Sequence, residues 1–311
     1  MSPAINGRTD YSRSQTTSKS TKSNSATMRA DSHTNSQPFD VEQARIESNK
    51  YFPEFNLQDK VVIVTGGGRG LGLTMAEALF QGGANIHCLD VLKEPHEDFL
   101  QVQQRTDVYL GGSLHYHHVD VRQTEALQQL IAEIAAQYQR LDGVIAAAGI
   151  QHVKPALTLN TDDVKNLMDI NFTAVLMTAQ EVAKQMINLK TPGSIVLVAS
   201  MSAIIANKGL ISSVYNSSKA AVNQLTKNLA MEWGQHGIRV NSLCPGHIIT
   251  PMVAQNFKDE PSLKEQWEKE SMLGRISSPE EFRGPATFLI SNASSYMTGA
   301  SLVIDGGHTA W

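Results

Sequence analysis

The residues best suited to catalysis are a tyrosine and a lysine one helical turn apart. Tyr215 and Lys219 stand at the start of a helical pattern, and residues with this spacing share one face of a helix. A phenol has a reference pKa of about 10, and a neighbouring ammonium group lowers it towards the range useful for general acid/base work. The pair therefore suggests proton transfer at a substrate oxygen, although Tyr-x-x-x-Lys alone is also typical of a solvated helix face.

A glycine-rich segment follows a short β-branched run and precedes a helical pattern. The run VVIVT at 61–65 leads into GGGRGLG, in which Gly66, Gly70 and Gly72 are spaced Gly-x-x-x-Gly-x-Gly. Glycines let backbone N–H groups approach a pyrophosphate, and the helix N-terminus adds partial positive charge. Because Asp90 closes the next β-branched run, the order strand, loop, helix, strand and acid predicts a dinucleotide site.

The elements that position these residues alternate along the chain. Short β-branched runs and longer helical patterns are typical of βαβ units, which build a parallel sheet covered on both faces. We expect strands at 61–65, 85–90, 113–119, 143–148, 194–200, 239–244 and 301–305. They predict an α/β fold, a Rossmann-type doubly wound seven-stranded parallel sheet with helices on both faces.

The chain is expected to hold one such domain, at residues 57–311. Residues 1–36 contain fifteen Ser or Thr and almost no large apolar side chain, so they bury too little surface to offset the entropy of ordering. We therefore interpret residues 1–56 as a disordered Ser/Thr-rich tail and linker.

The glycine spacing resembles that of the short-chain dehydrogenase/reductase family, and the resemblance extends over about residues 58–309. The resemblance implies a nicotinamide cofactor and a set of residues that contact it. This set is Gly66, Gly68, Arg69, Gly70, Leu71, Gly72, Asp90, Asp120, Val121, Ala148, Tyr215, Lys219, Pro245, Gly246, Ile248 and Thr250.

Some of these positions allow a second interpretation or depart from the family pattern. Asp120 also suits the N-cap of the following helix, and Pro245-Gly246 also suits a simple turn. The run Ala146-Ala147-Ala148-Gly149 stands where the family usually has Asn-Asn-Ala-Gly, so stabilisation of the sheet there must come from other groups.

The resemblance also implies a catalytic set of Asn171, Ser202, Tyr215 and Lys219. Ser202 lies thirteen residues before Tyr215, which is the family's spacing, and it would bind the substrate oxygen. Ser200, two residues earlier, is the near alternative. Asn171 matches a helix-embedded asparagine that holds a water between Lys219 and solvent, and Lys219 would also anchor the nicotinamide ribose.

Two residues give opposite indications about the cofactor. Asp90 can accept hydrogen bonds from the adenosine ribose and would repel a 2′-phosphate, which favours NAD. Arg69 lies where a basic residue often accompanies NADP in the family. We expect NAD, with NADP as the alternative, because one exposed arginine only partly offsets the repulsion by a carboxylate.

These residues together predict an oxidoreductase that transfers hydride between a nicotinamide and a secondary alcohol or ketone. Gln151 and His152 lie just beyond the fourth strand, where this fold places its crevice, and are candidate substrate contacts. A resemblance to fungal sugar-alcohol and ketose reductases favours a polyol/ketose pair. The alternatives are a reductase of acyl-ketone or steroid-like substrates, and a catalytically silent dinucleotide-binding scaffold or sensor.

Composition limits the partners and the compartment. A net charge of −4 supplies no field that attracts nucleic acid or an anionic membrane. No run of about 18 apolar residues occurs, and the first thirty residues lack the apolar core of a signal peptide. Cys88 and Cys244 lie in expected strands, which argues against a disulfide and for the reducing cytoplasm. The basic residues of the tail leave a mitochondrial location as the minor alternative.

Three further expectations concern metals, mobility and assembly. His115, His117 and His118 lie along one strand without acidic or cysteine companions, so no metal site is expected. A segment with Met252 and Trp267 among charged residues is consistent either with a mobile lid or with ordinary amphipathic helices. The resemblance implies a homotetramer or homodimer, with the apolar faces of the helices at 162–188 and 213–234 as interfaces.

Overall fold

The computed structural model describes residues 52–105, 111–250, 253, 257–258 and 261–311. The predicted tail up to residue 51 and Met252 of the predicted lid lie outside the described residues. The strands are β1 Val61–Thr65, β2 Asn85–Asp90, β3 Ser113–His118, β4 Gly143–Ala146, β5 Ser194–Val198, β6 Arg239–Pro245 and β7 Ser301–Ile304. The α-helices are α1 Gly70–Gln81, α2 Glu97–Gln103, α3 Thr124–Tyr138, α4 Thr161–Met168, α5 Ala174–Leu189, α6 Ser213–Trp233, α7 Pro261–Lys269 and α8 Arg283–Ile290.

The described residues form one seven-stranded parallel sheet with the order β3-β2-β1-β4-β5-β6-β7. This order confirms the predicted Rossmann-type fold. The chain reverses its direction of sheet growth between β1 and β4, and a ligand crevice forms outside the carboxyl ends of the strands at such a point. Ile63 of β1 is paired with His87 on one side and with Val144 on the other, which fixes the register there.

The sheet is apolar on both faces because helices cover both. Val61 and Ile63 are fully buried in one apolar cluster with residues of α3, α5 and α6. Val62 and Val64 are fully buried in a second cluster with residues of α1 and α8. Successive side chains of a strand point to opposite faces, so a continuous apolar run is what a sheet covered on both sides requires. Each such burial stabilises the fold by roughly 1.5–3 kcal/mol as an upper estimate.

Two strands end two residues earlier than predicted, and β3 and β7 end one residue earlier. β4 ends at Ala146 and not at 148, and β5 ends at Val198 and not at 200. Ser200 leaves the ladder because its hydroxyl accepts a hydrogen bond from the Ser202 N–H at 3.1 Å and caps a 3-10 turn. The residues released from both strands therefore line the edge of the sheet at which the candidate site lies.

The domain boundary near residue 57 stays a prediction. Leu57 is fully buried in the cluster that contains Val62, whereas Phe52 keeps 66% of its surface exposed. None of the described helices is both long enough and apolar enough to cross a membrane.

Candidate active site

The glycine loop packs as closely as its residue types allow. Gly66 has a φ of +68°, and its N–H donates to the Leu89 carbonyl at 2.7 Å. A Cβ on Gly72 would lie 2.1 Å from the Gly66 carbonyl oxygen, so loop and helix touch backbone to backbone. Arg69, the N-cap of α1, is exposed and its side chain makes no capping hydrogen bond. The first N–H groups of α1 thus receive no cap from that side chain, which fits a bound pyrophosphate.

Asp90 lies directly against this loop. It is 8% exposed at the end of β2, and its Oδ2 accepts a hydrogen bond from the Gly68 N–H at 3.0 Å. Its Oδ1 accepts from the Leu92 N–H at 3.3 Å. The carboxylate is therefore held beside the loop, where the sequence predicts the adenosine ribose of the cofactor, while Arg69 points into solvent.

The N-cap interpretation of Asp120 is wrong. α3 begins at Thr124, and its N-cap is Gln123, which makes no side-chain capping bond. Asp120 is instead held by Arg122, whose Nη2 lies 2.6 Å from Oδ2 and whose Nε contacts both carboxylate oxygens at 3.0 Å. These hydrogen bonds hold the pKa of Asp120 below its usual value. Val121 beside it is buried, and a role of either residue at the adenine remains a prediction.

A hydrogen bond to Thr65 holds the run of alanines at the end of β4. The Thr65 hydroxyl accepts a hydrogen bond from the Ala148 N–H at 3.2 Å. This bond joins the ends of β1 and β4, where asparagine side chains are absent. A Cβ on Gly66 would lie 3.0 Å from the Ala148 backbone, so the glycine loop and this segment also touch.

Tyr215 and Lys219 lie in the first turns of α6, as predicted. Lys219 is 4% exposed, its Nζ donates to the Val198 carbonyl at 2.8 Å, and it lies 5.7 Å from the centre of the Tyr215 ring. Burial lowers the pKa of Lys219 to about 8. Burial raises the pKa of Tyr215, and a hydrogen bond with the Ser200 side chain acts in the opposite direction. Ser200, the near alternative of the sequence interpretation, is therefore the serine whose hydroxyl group acts on the pKa of the phenol.

Ser202 lies in the 3-10 turn that Ser200 caps. It is 6% exposed, and its N–H is the group that donates to Ser200 Oγ. Both hydroxyl groups thus belong to one short segment beyond β5, next to Tyr215. That Ser202 binds the substrate oxygen stays a prediction.

Asn171 lies in a rare wide turn, the π-helical segment Asp169–Thr173 between α4 and α5. Its side chain is fully buried and pairs with the backbone of Ile150 in both directions, each bond being 2.9 Å long. Its Nδ2 also donates to the Ser218 hydroxyl at 3.2 Å. π-helical turns are frequent at functional sites. The arrangement shows Asn171 fixing the loop beyond β4 against α6, and the predicted water link to Lys219 stays a prediction.

Gly149 has no side chain and so leaves space for Asn171 and Lys219 to approach the loop after β4. A Cβ at this position would lie 3.3 Å from Asn171 Oδ1 and 3.5 Å from Lys219 Nζ. Gln151, next on the loop, is exposed and His152 is half-buried. The Lys154 N–H donates to the Ile211 carbonyl at 2.9 Å, which ties the loop to the segment before α6. Both predicted substrate residues therefore lie beside the catalytic candidates.

The segment after β6 is extended and not an isolated turn. The Gly246 N–H donates to the Ile304 carbonyl at 2.9 Å, and a Cβ there would lie 2.6 Å from Asp305 Cα. Ile248 forms a bridge with Ser277, so the simple turn interpretation of Pro245-Gly246 is wrong. Thr250 Oγ1 accepts a hydrogen bond from the Val253 N–H at 3.3 Å.

Trp267 of the predicted lid is packed in the protein interior. It is 8% exposed, its ring stacks on His247 with centroids 3.8 Å apart, and Phe257 meets its edge at 5.4 Å. Burial, followed by the neighbouring His308 ring, lowers the pKa of His247 to about 4. Neither histidine was among the predicted site residues, because their proximity depends on the fold.

Two of the three histidines of β3 stack on the ring of a fourth histidine in β2. His87 of β2 stacks with His115 and His117 at centroid distances of 4.7 and 5.2 Å, and its Nδ1 lies 2.9 Å from His117 Nε2. Burial first, and then the two neighbouring rings, lowers the pKa of His87 to about 3. The close spacing therefore reflects packing of these rings against one another.

Comparison with known proteins defines the class. The family model described as enoyl-(acyl carrier protein) reductase matches residues 66–309. The chain is 38% identical to the short chain dehydrogenases/reductase notP' of Aspergillus versicolor over 83% of its own length and 89% of that protein. It is 33% identical to the D-arabinitol 2-dehydrogenase [ribulose-forming] of Candida albicans (strain WO-1), covering 83% and 96% of the two chains.

Among solved structures, the chain resembles a gluconate 5-dehydrogenase from Burkholderia cenocepacia J2315 in complex with NADP and tartrate. The TM-score is 0.75 and the identity 31%, with 83% of this chain and 98% of that chain covered. The protein belongs to the short-chain dehydrogenase/reductase family and is an NAD(P)-dependent oxidoreductase that acts on alcohols.

Proposed function

We propose that Tyr215 is the acid/base of a reversible interconversion of a secondary alcohol and a ketone. The observation that carries this proposal is the convergence of Tyr215, the buried Lys219 and the Ser200–Ser202 segment at the carboxyl end of β5, beside the glycine loop. A nicotinamide held by the glycine loop and Asp90 would supply or accept the hydride. In the direction of reduction, Tyr215 donates its phenolic proton to a carbonyl oxygen that Ser202 holds.

Lys219 and Asn171 support this step in different ways. The Lys219 Nζ lies 5.7 Å from the centre of the Tyr215 ring, and a charged ammonium group at this position would favour the ionised phenol. Its hydrogen bond to the Val198 carbonyl orients it between α6 and β5. Asn171 fixes the loop that carries the substrate candidates Gln151 and His152.

The substrate pair that we propose is a polyol and its ketose. Gln151 is exposed and His152 is half-buried next to the site, and such polar side chains suit a ligand with several hydroxyl groups. A relative of this chain is named a D-arabinitol 2-dehydrogenase, and a structural neighbour is named a gluconate 5-dehydrogenase. A second candidate is a larger apolar ketone, because Val153 and Ile211, on the two segments joined at Lys154, keep 57% and 55% of their surface exposed.

A substrate panel tests the choice. Initial rates of the full chain are measured with pentitols and hexitols in one direction and with ketoses, acyl ketones and steroid ketones in the other. We expect kcat/KM for the best polyol/ketose pair to exceed that for the apolar ketones by at least about tenfold, which corresponds to about 1.4 kcal/mol. A preference for an apolar ketone by the same factor would replace the first candidate by the second.

We propose that the preferred cofactor is NAD. The support is the buried Asp90 carboxylate beside the glycine loop, set against Arg69, which is exposed and therefore screened by solvent. The substitution Asp90→Ser should shift the ratio of kcat/KM values towards NADP by at least about tenfold at low salt, since it removes a repulsive charge. Arg69→Gln should shift the ratio the other way. A wild-type preference for NADP, or no shift in Asp90→Ser, would contradict the assignment.

We propose a reducing compartment, the cytoplasm, and a homo-oligomeric state. Cys88 and Cys244 are buried free thiols. Asn171 begins the N-glycosylation sequon Asn-Phe-Thr, and its side chain is fully buried, which leaves no room for a glycan. Between α5 and α6 lies an apolar groove of about 610 Å³ that includes Leu176, Leu225 and Trp233. A second copy of the chain is the occupant that we propose for this groove, and a tetramer follows if a further face is also paired.

A further inference from the structure

A group of three potential metal ligands lies outside the catalytic set. His247, Glu270 and His308 each offer one ligand atom, and these atoms lie within 4.8 Å of one another. The three residues come from the segment after β6, the end of α7 and the segment after β7. We propose that they form a binding site for a divalent transition-metal ion of the Zn²⁺ class.

His308 is the residue that points most directly to a ligand. It is only 9% exposed, and its Nδ1 is buried with no hydrogen-bond partner among the described residues. A buried polar atom without a partner is unfavourable, so such an atom in a folded protein calls for an ion or a water. The ring lines a cavity of about 80 Å³ together with His247 and Trp267, which is room for an ion and a water ligand.

The ring of His247 is oriented by stacking that leaves its nitrogens free to ligate. Trp267 covers one face of the imidazole in a nearly parallel stack, with an angle of 7° between the planes. His308 approaches at 82°, with ring centroids 5.3 Å apart. An imidazole binds a metal through a lone pair in the plane of its ring, so a stack on its face fixes the ring without competing for that lone pair.

Hydrogen bonds hold the segments of all three ligands in place, through the backbone at His247 and His308 and through the carboxylate at Glu270. Ser277 donates from its N–H and its hydroxyl to the His247 carbonyl, at 3.1 and 2.7 Å. Asp305 holds the turn around His308 by accepting from the Gly307 N–H at 2.9 Å. Glu270 Oε1 accepts from Gln266 at 3.0 Å, the type of hydrogen bond that orients a ligating carboxylate.

Distance and charge both suit a small divalent cation. Three atoms no more than 4.8 Å apart lie at most about 2.8 Å from their common centre, and Zn–N and Zn–O bonds are about 2.0–2.2 Å long, so each ligand has to move by at most about 0.7 Å. The cavity is also lined by Arg275, Glu281 and Asp305. Glu281 neutralises the guanidinium of Arg275 with two hydrogen bonds of 2.7 and 2.6 Å, which leaves the surroundings acidic.

Two histidines and one carboxylate with room for a water is a ligand set that Zn²⁺ commonly takes in proteins. The ion would join three segments that are distant in sequence. One of them carries Gly246 and Ile248, the neighbours of His247 and predicted cofactor contacts. Binding of the ion would therefore restrain the segment after β6, and this effect does not depend on turnover.

Metal binding by the full chain, prepared without an affinity tag and freed of metal with EDTA, tests the proposal. Calorimetric titration with Zn²⁺ should give one ion per chain, and Zn²⁺ should raise the Tm. Glu270→Gln and His308→Asn should each weaken binding by at least about tenfold. The matched controls are Glu265→Gln on the same helix and His236→Asn, because both residues are exposed.

The outcomes separate this site from other binding. Co²⁺ should give ligand-field bands without a thiolate charge-transfer band, which excludes Cys88 and Cys244 as ligands. The proposal is overturned if the chain takes up no stoichiometric Zn²⁺, or if the controls lose as much affinity as Glu270→Gln. Should His308→Asn fail to fold, as judged by circular dichroism, Glu270→Gln decides, since Glu270 is only partly buried.

Discussion

Tyr215 is the residue on which the proposed proton transfer depends. Replacing it with phenylalanine removes the hydroxyl and little else, so we expect kcat to fall by at least about 100-fold. Cofactor binding should persist, because the glycine loop and Asp90, which are expected to contact the pyrophosphate and the adenosine ribose, are unchanged. Steady-state rates and the quenching of protein fluorescence by NADH measure the two effects. An unchanged kcat would remove Tyr215 from the catalytic set.

Ser200 and Ser202 can be told apart by pH. The hydrogen bond with Ser200 lowers the pKa of Tyr215, so Ser200→Ala should raise that pKa. Oxidation of an alcohol needs the ionised phenol, and the rise of its rate with pH should therefore move to higher pH in this variant. Ser202→Ala should lower kcat on the order of 100-fold, as loss of a donor to the substrate oxygen does, without moving the profile. Identical behaviour of both variants would contradict this division of roles.

Lys219 links the site to the stability of the fold. Burial lowers its pKa from 10.5 to about 8, so between these pH values the unfolded chain binds the proton and the folded chain does not. The contribution of Lys219 to the free energy of unfolding therefore rises with pH across this window. Below pH 8 the folded chain carries the full cost of burying the charged ammonium group. Lys219→Met should be inactive, and its stability relative to the wild type should decline from pH 7.5 to about pH 10.

Urea unfolding of both proteins at each pH measures this difference, and the subtraction removes groups that titrate in both. If the free energy of unfolding of Lys219→Met rises with pH relative to that of the wild type, the lowered pKa of Lys219 is refuted.

At the scale of elements, contact between the glycine loop and α1 predicts a difference between two helical glycines. An alanine Cβ at Gly72 meets the Gly66 carbonyl at 2.1 Å, whereas nothing lies within 4 Å of a Cβ at Gly284 in α8. Gly72→Ala must displace the loop, and kcat/KM for the cofactor should fall on the order of 100-fold. Gly284→Ala should leave it unchanged and raise the free energy of unfolding by about 0.5–1 kcal/mol. Equal cofactor kinetics in both variants would show that the contact is not needed.

The strands could be predicted because their signal is local. β1 and β2 begin and end where their β-branched runs do, since strands buried on both faces need continuous apolar residues. The ends of β4 and β5 were placed two residues too far. The apolar pattern continues past both ends. After β5 the Ser200 hydroxyl accepts a hydrogen bond from the Ser202 N–H and takes the chain out of the ladder, and after β4 the Ala148 N–H donates to the Thr65 hydroxyl.

The site could be predicted only in part. Tyr215 and Lys219 have a spacing that sequence shows directly, whereas the partners of Asn171 are set by a π-helical turn that leaves no clear pattern. Asp120 was given an N-cap role because it precedes a helix, but the neighbouring Arg122 takes both its oxygens.

The charged and aromatic groups around His247 show the same limit on a larger scale. Its partners come from a helix and from the end of the chain, and no spacing rule relates them. The histidines that are close in sequence, on β3, are the ones that pack with His87. Proximity in sequence therefore indicates the histidines of β3 and not the group around His247 that the fold brings together.

At the scale of the whole molecule, the groove between α5 and α6 predicts the state of assembly. Leu225 lines this groove and is only partly buried in the single chain. In an isologous contact each copy presents the same face, so a charge placed there meets its symmetry mate in a dehydrated interface. Leu225→Glu should cost little within one chain, because water still reaches the carboxylate, but should cost several kcal/mol in the assembly.

Light scattering coupled to size exclusion measures the consequence. We expect the wild type to be a dimer or tetramer and Leu225→Glu to be a smaller species with retained circular dichroism. Leu100→Glu is the matched control, because Leu100 is a 44% exposed leucine on α2, far along the sheet from the groove. A monomeric wild type would contradict the proposed assembly outright. An oligomer that tolerates Leu225→Glu as well as it tolerates Leu100→Glu would place the interface on another face. Two like charges buried in an interface destabilise the assembly, so this substitution could not go unnoticed there.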